Sequence, residues 1–81
     1  MRVRLLHFAS FRDAVGRDEE VRDFPEGTRV QEVWGALVRE VALFRQFPAI
    51  PPAAVNREYV GSDTVLRDGD EVAFLPPVAG G

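Results

Sequence analysis

The chain contains no cysteine and no lysine, and it has only one histidine among its 81 residues. The absence of cysteine excludes disulfide bonds, thiolate metal sites and a catalytic thiol. A single histidine, without a glycine-rich phosphate loop, excludes most familiar enzyme sites. All ten basic residues are arginine, so no side-chain amine is present to accept an isopeptide bond. We therefore expect a chain that is not an enzyme by itself and that binds no metal.

Long apolar runs and a basic surface are also missing. No stretch approaches the ~20 apolar residues of a membrane-spanning helix, and the apolar run near the N-terminus is too short for a signal peptide. The net charge of −3 argues against a nucleic-acid partner, because phosphates require a basic face. We expect a single cytoplasmic domain over residues 1–81, with no membrane or nucleic-acid partner.

The C-terminal stretch 74–81 has a distinctive composition and reads FLPPVAGG. Pro76 and Pro77 fix φ and cannot donate to a sheet, so a strand should end before them and a stiff neck should begin. Gly80 and Gly81 have no Cβ, which allows them to pass through a channel too narrow for other residues. The segment 76–81 is therefore predicted to be an extended tail that includes Val78 and Ala79 and presents the Gly81 carboxylate.

Alternating hydrophobicity predicts strands at both ends of the chain. Residues 2–8 place Val3, Leu5 and His7 on an inner face and leave Leu6 and Phe8 outside. Further strands are predicted near 21–24, 53–55, 59–60 and 71–75. Residues 9–16 are predicted to form a loop with at most one helical turn, and 18–20 a solvated turn. His7 is predicted to be a core histidine, since no partner for catalysis is evident.

One amphipathic helix is predicted in the middle of the chain. Thr28 and Gln31 have the spacing of a capping box at its start, and it should end before Pro48. Phe44 and Phe47 are predicted to fill the core. The apolar face of this helix comprises Val30, Val33, Trp34, Leu37, Val38 and Val41.

Short strands around one helix predict an α+β fold, with a mixed sheet and the main helix packed across one face. If the first and last strands lie side by side and parallel in the middle of the sheet, this is the β-grasp, or ubiquitin-like, fold. The tail then leaves from the end of the sheet.

These features indicate that the C-terminal carboxylate is the group that takes part in the chemistry. With a pKa of ~3.5 it is ionised and inert as an acyl donor. Conversion to an acyl-adenylate supplies a good leaving group, and a sulfur nucleophile can then displace AMP and leave a thiocarboxylate. A diglycine suits this chemistry, because the tip must enter the active sites of larger enzymes.

Four stretches carry a resemblance to a known family. They are the opening strand that ends at Phe8 and Ala9, FRDAVG at 11–16, AVNREYV at 54–60, and LRDGDEVAFLPPVAGG at 66–81. Through them the chain resembles the small, sulfur-carrying subunit of molybdopterin synthase along nearly its whole length. His7 and Leu75 depart from the family, which usually has larger apolar or aromatic groups there.

The resemblance implies the β-grasp fold and a function for Gly81. A ubiquitin-activating-type adenylyltransferase would use ATP to adenylate Gly81, and a persulfide donor would supply the sulfur of the thiocarboxylate. The tail would then enter the large subunit of molybdopterin synthase, within a heterotetramer. There the sulfur would pass to cyclic pyranopterin monophosphate and build the dithiolene of molybdopterin. The small subunit itself would bind no cofactor.

A docking surface for these partners is predicted from Phe8, Tyr59 and Leu75, with Arg12 at its rim. Alternation places Phe8 and Leu75 on the outer face of strands that a β-grasp sets adjacent. Three exposed apolar groups together suggest a docking patch. The alternative is a loop that covers them as a minor second core.

Other functions remain open from the sequence. The chain could carry sulfur for thiazole synthesis or tRNA thiolation, although those carriers are generally shorter and seldom have a PPVA neck. It could be a ubiquitin-like modifier joined to proteins through Gly81, which isopeptide adducts would reveal. It could also be a plain interaction module whose diglycine is idle.

Overall fold

The computed structural model describes residues 1–77. The predicted tail positions Val78, Ala79, Gly80 and Gly81 lie outside the described residues. The elements in chain order are β1 (Arg2–Leu6), α1 (Ala9–Val15), β2 (Glu19–Asp23), α2 (Val30–Glu40), a 3₁₀ helix (Ala42–Gln46), β3 (Ala53–Val55), β4 (Glu58–Val60) and β5 (Glu71–Phe74).

Within residues 1–77 five strands form a mixed sheet in the order β2-β1-β5-β3-β4. The first and last strands pair in parallel at its centre, with Leu5 opposite Val72 and Leu6 opposite Ala73. The other pairs, β1–β2, β3–β5 and β3–β4, are antiparallel. The predicted arrangement of the first and last strands is confirmed.

Helix α2 covers the inner face of the sheet, as its apolar spacing predicts. Val30, Val33, Trp34 and Leu37 are buried, and Val38 and Val41 pack at the edge of the same cluster. The inner side chains of β1 and β5 complete this core, because alternation points every second residue toward the helix. They are Val3, Leu5, Val72 and Phe74.

An aromatic cluster joins the helices to the last strand. Trp34 stacks on Phe44 with ring centroids 4.9 Å apart and contacts Phe74 at 5.0 Å. Phe11 packs against Phe44 at 4.7 Å and Phe47 at 5.4 Å. The predicted core positions of Phe44 and Phe47 are therefore confirmed.

Residues 9–16, predicted to be a loop, contain the seven-residue helix α1. Burial of Phe11 in the aromatic cluster fixes this segment, although a single fully buried side chain gives no helical periodicity. Gly16 ends the helix with φ 89°, and its N–H donates to the Arg12 carbonyl. Glycine adopts this left-handed geometry without a Cβ clash.

Strand β2 begins two residues earlier than predicted and ends one residue earlier. Glu19 and Glu20, placed by sequence in a solvated turn, pair with Leu6 and Leu5. Glu20 therefore points to the inner side of the sheet, where it meets His7.

The predicted capping box at Thr28 and Gln31 is wrong by one residue. Arg29 precedes the helix, and its N–H donates to the Glu32 carboxylate at 3.0 Å. The Thr28 hydroxyl instead donates to the Pro25 carbonyl at 2.7 Å. Glu32 therefore satisfies one of the backbone donors that a helix start leaves free.

Residues 1–77 contain no helix with the length and apolar character needed to cross a membrane. The same residues contain no group of three or more histidine, aspartate or glutamate side chains placed to hold a metal ion.

Candidate functional site

The outer face of the sheet, opposite α2, carries a row of side chains that crosses five strands. Residues directly opposite one another in paired strands point to the same face. Leu6 is opposite Ala73, Ala73 is opposite Ala54, and Ala54 is opposite Tyr59. Glu19 extends the row on β2, since it pairs with Leu6.

A groove with a volume of about 450 Å³ lies over this row. The small side chains of Ala54 and Ala73 line its floor. We call it the outer-face groove. Its apolar lining comprises Leu6, Phe8, Ala54, Ala73 and Leu75, and its charged lining comprises Arg4, Glu19, Arg57 and Glu71.

Three of the four predicted docking residues lie on the outer face. Phe8 is 46% exposed and lines the groove together with the half-buried Leu75. Tyr59 is 75% exposed and ends the same cross-strand row. Because Phe8 and Tyr59 are exposed to solvent, no described segment covers them to form a second core.

Arg12 does not join the groove. It lies on α1, where its Nε is 3.8 Å from the Asp13 carboxylate and 3.7 Å from that of Asp18. Seven lining positions were not part of the predicted docking surface. Those that lie on strands follow from alternation once the register between strands is known. The seven are Arg4, Leu6, Glu19, Ala54, Arg57, Glu71 and Ala73.

The neck leaves the sheet beside the apolar end of the groove. Because β1 and β5 are parallel and Leu6 is opposite Ala73, the same offset brings Phe8 beside Leu75. The Leu75 N–H donates to the Pro52 carbonyl at 2.9 Å, which fixes the residue before Pro76. A partner that binds the groove therefore also holds the start of the tail.

The other end of the groove is charged. Arg4 donates a hydrogen bond to Glu71 across the β1–β5 pair. This hydrogen bond and the charge of Glu71 raise the pKa of Arg4 above its ordinary value. Arg57, in the turn between β3 and β4, also lines this end.

The profile of the ThiS family matches residues 5–81, nearly the whole chain. The chain belongs to the ThiS family. The Escherichia coli K12 protein named molybdopterin synthase sulfur carrier subunit is 41% identical over 81 residues, covering 98% of this chain and 99% of that protein. The resemblance identified from the sequence is confirmed.

Solved structures share the fold of this ThiS family member. A Pyrococcus furiosus protein, provisionally described as molybdopterin converting factor subunit 1, has 35% identity and a TM-score of 0.84, covering 96% of this chain and 99% of that chain. A chain in the complex of subunits 1 and 2 of molybdopterin-converting factor from Helicobacter pylori has 23% identity and a TM-score of 0.67, with full coverage of both chains. At this identity the second likeness shows the fold alone. The predicted β-grasp fold is confirmed.

This ThiS family member also has a charged network at the inner edge of its sheet. The His7 Nε2 lies 2.8 Å from the Glu20 carboxylate, which also accepts a hydrogen bond from Arg22 at 2.7 Å. Arg22 in turn donates two hydrogen bonds to Glu40 at the end of α2. His7 is buried, as predicted, and Glu20 is the partner that sequence analysis did not find. The network joins the residue that follows β1 to β2 and to the end of α2.

The network lowers the pKa of both its glutamates. Burial raises the pKa of Glu20, but hydrogen bonds from Arg22 and His7 outweigh burial and hold it below its ordinary value. The hydrogen bond from Arg22 likewise lowers the pKa of Glu40. A carboxylate with a depressed folded-state pKa stabilises the fold above its unfolded-state pKa and loses that contribution as pH falls through the folded-state pKa.

We expect Glu20→Gln to lower the free energy of unfolding near neutral pH by about 1–3 kcal/mol, the range for a hydrogen bond to a charged group. The difference from wild type should shrink as pH falls through the lowered folded-state pKa of Glu20, because the wild-type carboxylate then becomes protonated. Urea unfolding at several pH values measures it. The control is Glu26→Gln at an exposed position. An equal effect of Glu20→Gln at all pH values would contradict this assignment.

Proposed function

We propose that the chain is the sulfur carrier subunit of molybdopterin synthase and that Gly81 carries the sulfur as a thiocarboxylate. The observation that supports this most is the family match, which extends through the diglycine to residue 81. The Escherichia coli relative with the sulfur carrier name aligns over the same length. The outer-face groove lies beside the neck, so a partner that binds the groove would also hold the start of the tail.

The proposed chemistry needs no catalytic side chain from this protein. The Gly81 carboxylate attacks the α-phosphate of ATP on an activating enzyme, and pyrophosphate leaves. A persulfide attacks the acyl carbon and displaces AMP, and a thiol then cleaves the S–S bond, leaving the thiocarboxylate. On the large subunit its sulfur attacks a carbon of cyclic pyranopterin monophosphate and displaces an oxygen leaving group. Hydrolysis of the resulting thioester leaves the sulfur on the pterin and returns the Gly81 carboxylate. The chain is thus proposed to be a non-catalytic, cytoplasmic subunit without a bound cofactor.

The proposed partners are the large subunit of molybdopterin synthase, in a heterotetramer, and the activating adenylyltransferase. The Escherichia coli relative is named as a subunit of molybdopterin synthase, which supports the first of these. The same outer-face groove is proposed to bind both, because the tail must enter each active site from a fixed starting point. Tyr59 extends the apolar surface beyond the groove.

Intact-mass measurement tests the proposal. The protein is incubated with the activating enzyme, ATP and a persulfide donor, and its mass should rise by the difference between sulfur and oxygen at the C-terminus alone. The product should then form molybdopterin when mixed with the large subunit and cyclic pyranopterin monophosphate. Labelling elsewhere in the chain contradicts the role of Gly81. Sulfur delivery only to thiazole or tRNA, or isopeptide adducts alone, supports the other functions.

We expect Phe8→Asp and Leu75→Asp each to weaken binding to both partners by at least about tenfold, because each puts a charge into the apolar end of the groove. Isothermal titration calorimetry with each partner measures this. Val65→Asp is the matched control, since Val65 and Phe8 are both 46% exposed and Val65 lies outside the groove. If folded Phe8→Asp and Leu75→Asp proteins bind both partners as wild type does, the docking assignment is wrong.

A further inference from the structure

The hairpin between β3 and β4 contains an arginine in a backbone conformation that favours glycine. Val55 pairs with Glu58, so Asn56 and Arg57 form a two-residue turn, and both have positive φ, 52° and 71°. Such turns prefer asparagine followed by glycine, because a Cβ in the left-handed region clashes with the backbone. Arg57 therefore carries a conformational cost that glycine would not.

The fold does not require the Arg57 side chain. Asn56 fixes the turn: its side chain donates to Asp70 at 2.9 Å and accepts from the Glu71 N–H at 3.0 Å, and its own N–H donates to the Glu71 carbonyl at 2.8 Å. Within residues 1–77 the guanidinium of Arg57 has no hydrogen-bond or ion-pair partner. Within the described residues, the side chain of this strained residue thus makes no hydrogen bond or ion pair that stabilises the turn.

Arg57 has a defined position in the outer-face groove. It lies at the charged end, where Glu71 already neutralises Arg4. In the described chain Arg57 is thus the groove's cation without a partner. Backbone strain that the fold does not need is often found at binding sites, where it holds a group in place. The groove therefore presents an apolar end at Phe8 and Leu75 and a cationic end at Arg57.

We propose that Arg57 is a specificity-determining residue that binds an aspartate or glutamate side chain of the large synthase subunit. The apolar end of the groove receives a neighbouring apolar side chain of the same partner segment. An arginine suits this contact, because its planar guanidinium can pair with a carboxylate through two parallel hydrogen bonds. The identity of the partner rests on the proposed function, whereas the need for a carboxylate rests on the charge and strain at Arg57.

Two variants separate charge from strain. Arg57→Gln keeps a long side chain and the strain but removes the charge, whereas Arg57→Gly removes both. We expect both to weaken binding to the purified large subunit by roughly threefold to tenfold at low salt. The difference from wild type should disappear at high salt, because screening removes the charge contribution. Arg57→Gly should also raise the midpoint of thermal unfolding by about 2–5 °C.

Arg39→Gln is the control, because it makes the same charge change on α2, on the opposite side of the sheet. It should bind as wild type does. If the wild-type chain binds the large subunit, two results would overturn the inference. One is wild-type affinity in Arg57→Gln, and the other is a lower midpoint of thermal unfolding in Arg57→Gly. Failure of the wild-type chain to bind the large subunit would instead overturn the proposed function, and this inference with it.

Discussion

Deletion of Gly80 and Gly81 is expected to abolish sulfur loading and molybdopterin formation. Without these residues the chain ends at Ala79, two residues short of the position at which the proposed chemistry takes place. At ~3.3 Å per residue the carboxylate falls about 7 Å short of a reacting atom, a distance at which positioned attack is lost. Intact mass after activation and a coupled assay with the large subunit measure the two losses.

The truncated protein should otherwise behave as wild type. Its unfolding midpoint should be unchanged, because residues 1–77 contain the whole described core. It should still bind the large subunit through the outer-face groove and compete with the wild-type chain. Sulfur transfer that survives the deletion would show that the transferable group is not at Gly81.

Trp34→Ala is expected to lower the free energy of unfolding by about 3–5 kcal/mol, the usual cost of removing a large buried aromatic side chain. Trp34 is 5% exposed and contacts four phenylalanines, on α1, the 3₁₀ helix, the segment after it, and β5. For a chain of this length such a loss approaches the whole stability, at roughly 0.05–0.15 kcal/mol per residue. Urea unfolding followed by circular dichroism measures it.

Tyr59→Ala is the matched control for Trp34→Ala, since it removes an aromatic ring that is 75% exposed. Its free energy of unfolding should change by less than about 0.5 kcal/mol. A Trp34→Ala protein with the wild-type denaturation midpoint would contradict the central position of this side chain. The intermediate result, a folded protein with reduced stability, would allow partner binding to be tested as well.

Periodicity was sufficient to predict the elements with strong local patterns. The spacing from Val30 to Val41 identified α2 and its buried face, because a helix on a sheet must bury one side. Alternation over residues 2–8 and 71–75 identified β1 and β5 and the outward direction of Phe8 and Leu75. The double proline marked where β5 ends.

The features that were missed depend on contacts between distant segments. α1 is stabilised by the burial of Phe11, a tertiary contact that leaves no pattern in seven residues. Glu20 looked like part of a solvated turn, because its buried partner His7 is thirteen residues away. The place of Arg57 in the groove depends on the register of β3 with β5. Asn56 was an available signal for the turn that holds Arg57, since asparagine tolerates positive φ.

Because β5 lies at the centre of the sheet, a partner that binds the outer-face groove can distinguish a folded chain from an unfolded one. The outer-face groove takes residues from β1, β2, β3 and β5, so it exists only after segments 67 residues apart have come together. This is a slow, non-local step in folding. An unfolded copy still has the diglycine but offers no groove. If the proposed activating enzyme requires the groove, it rejects misfolded carriers before it consumes ATP, and the reactive sulfur is then installed only on chains that have completed their fold.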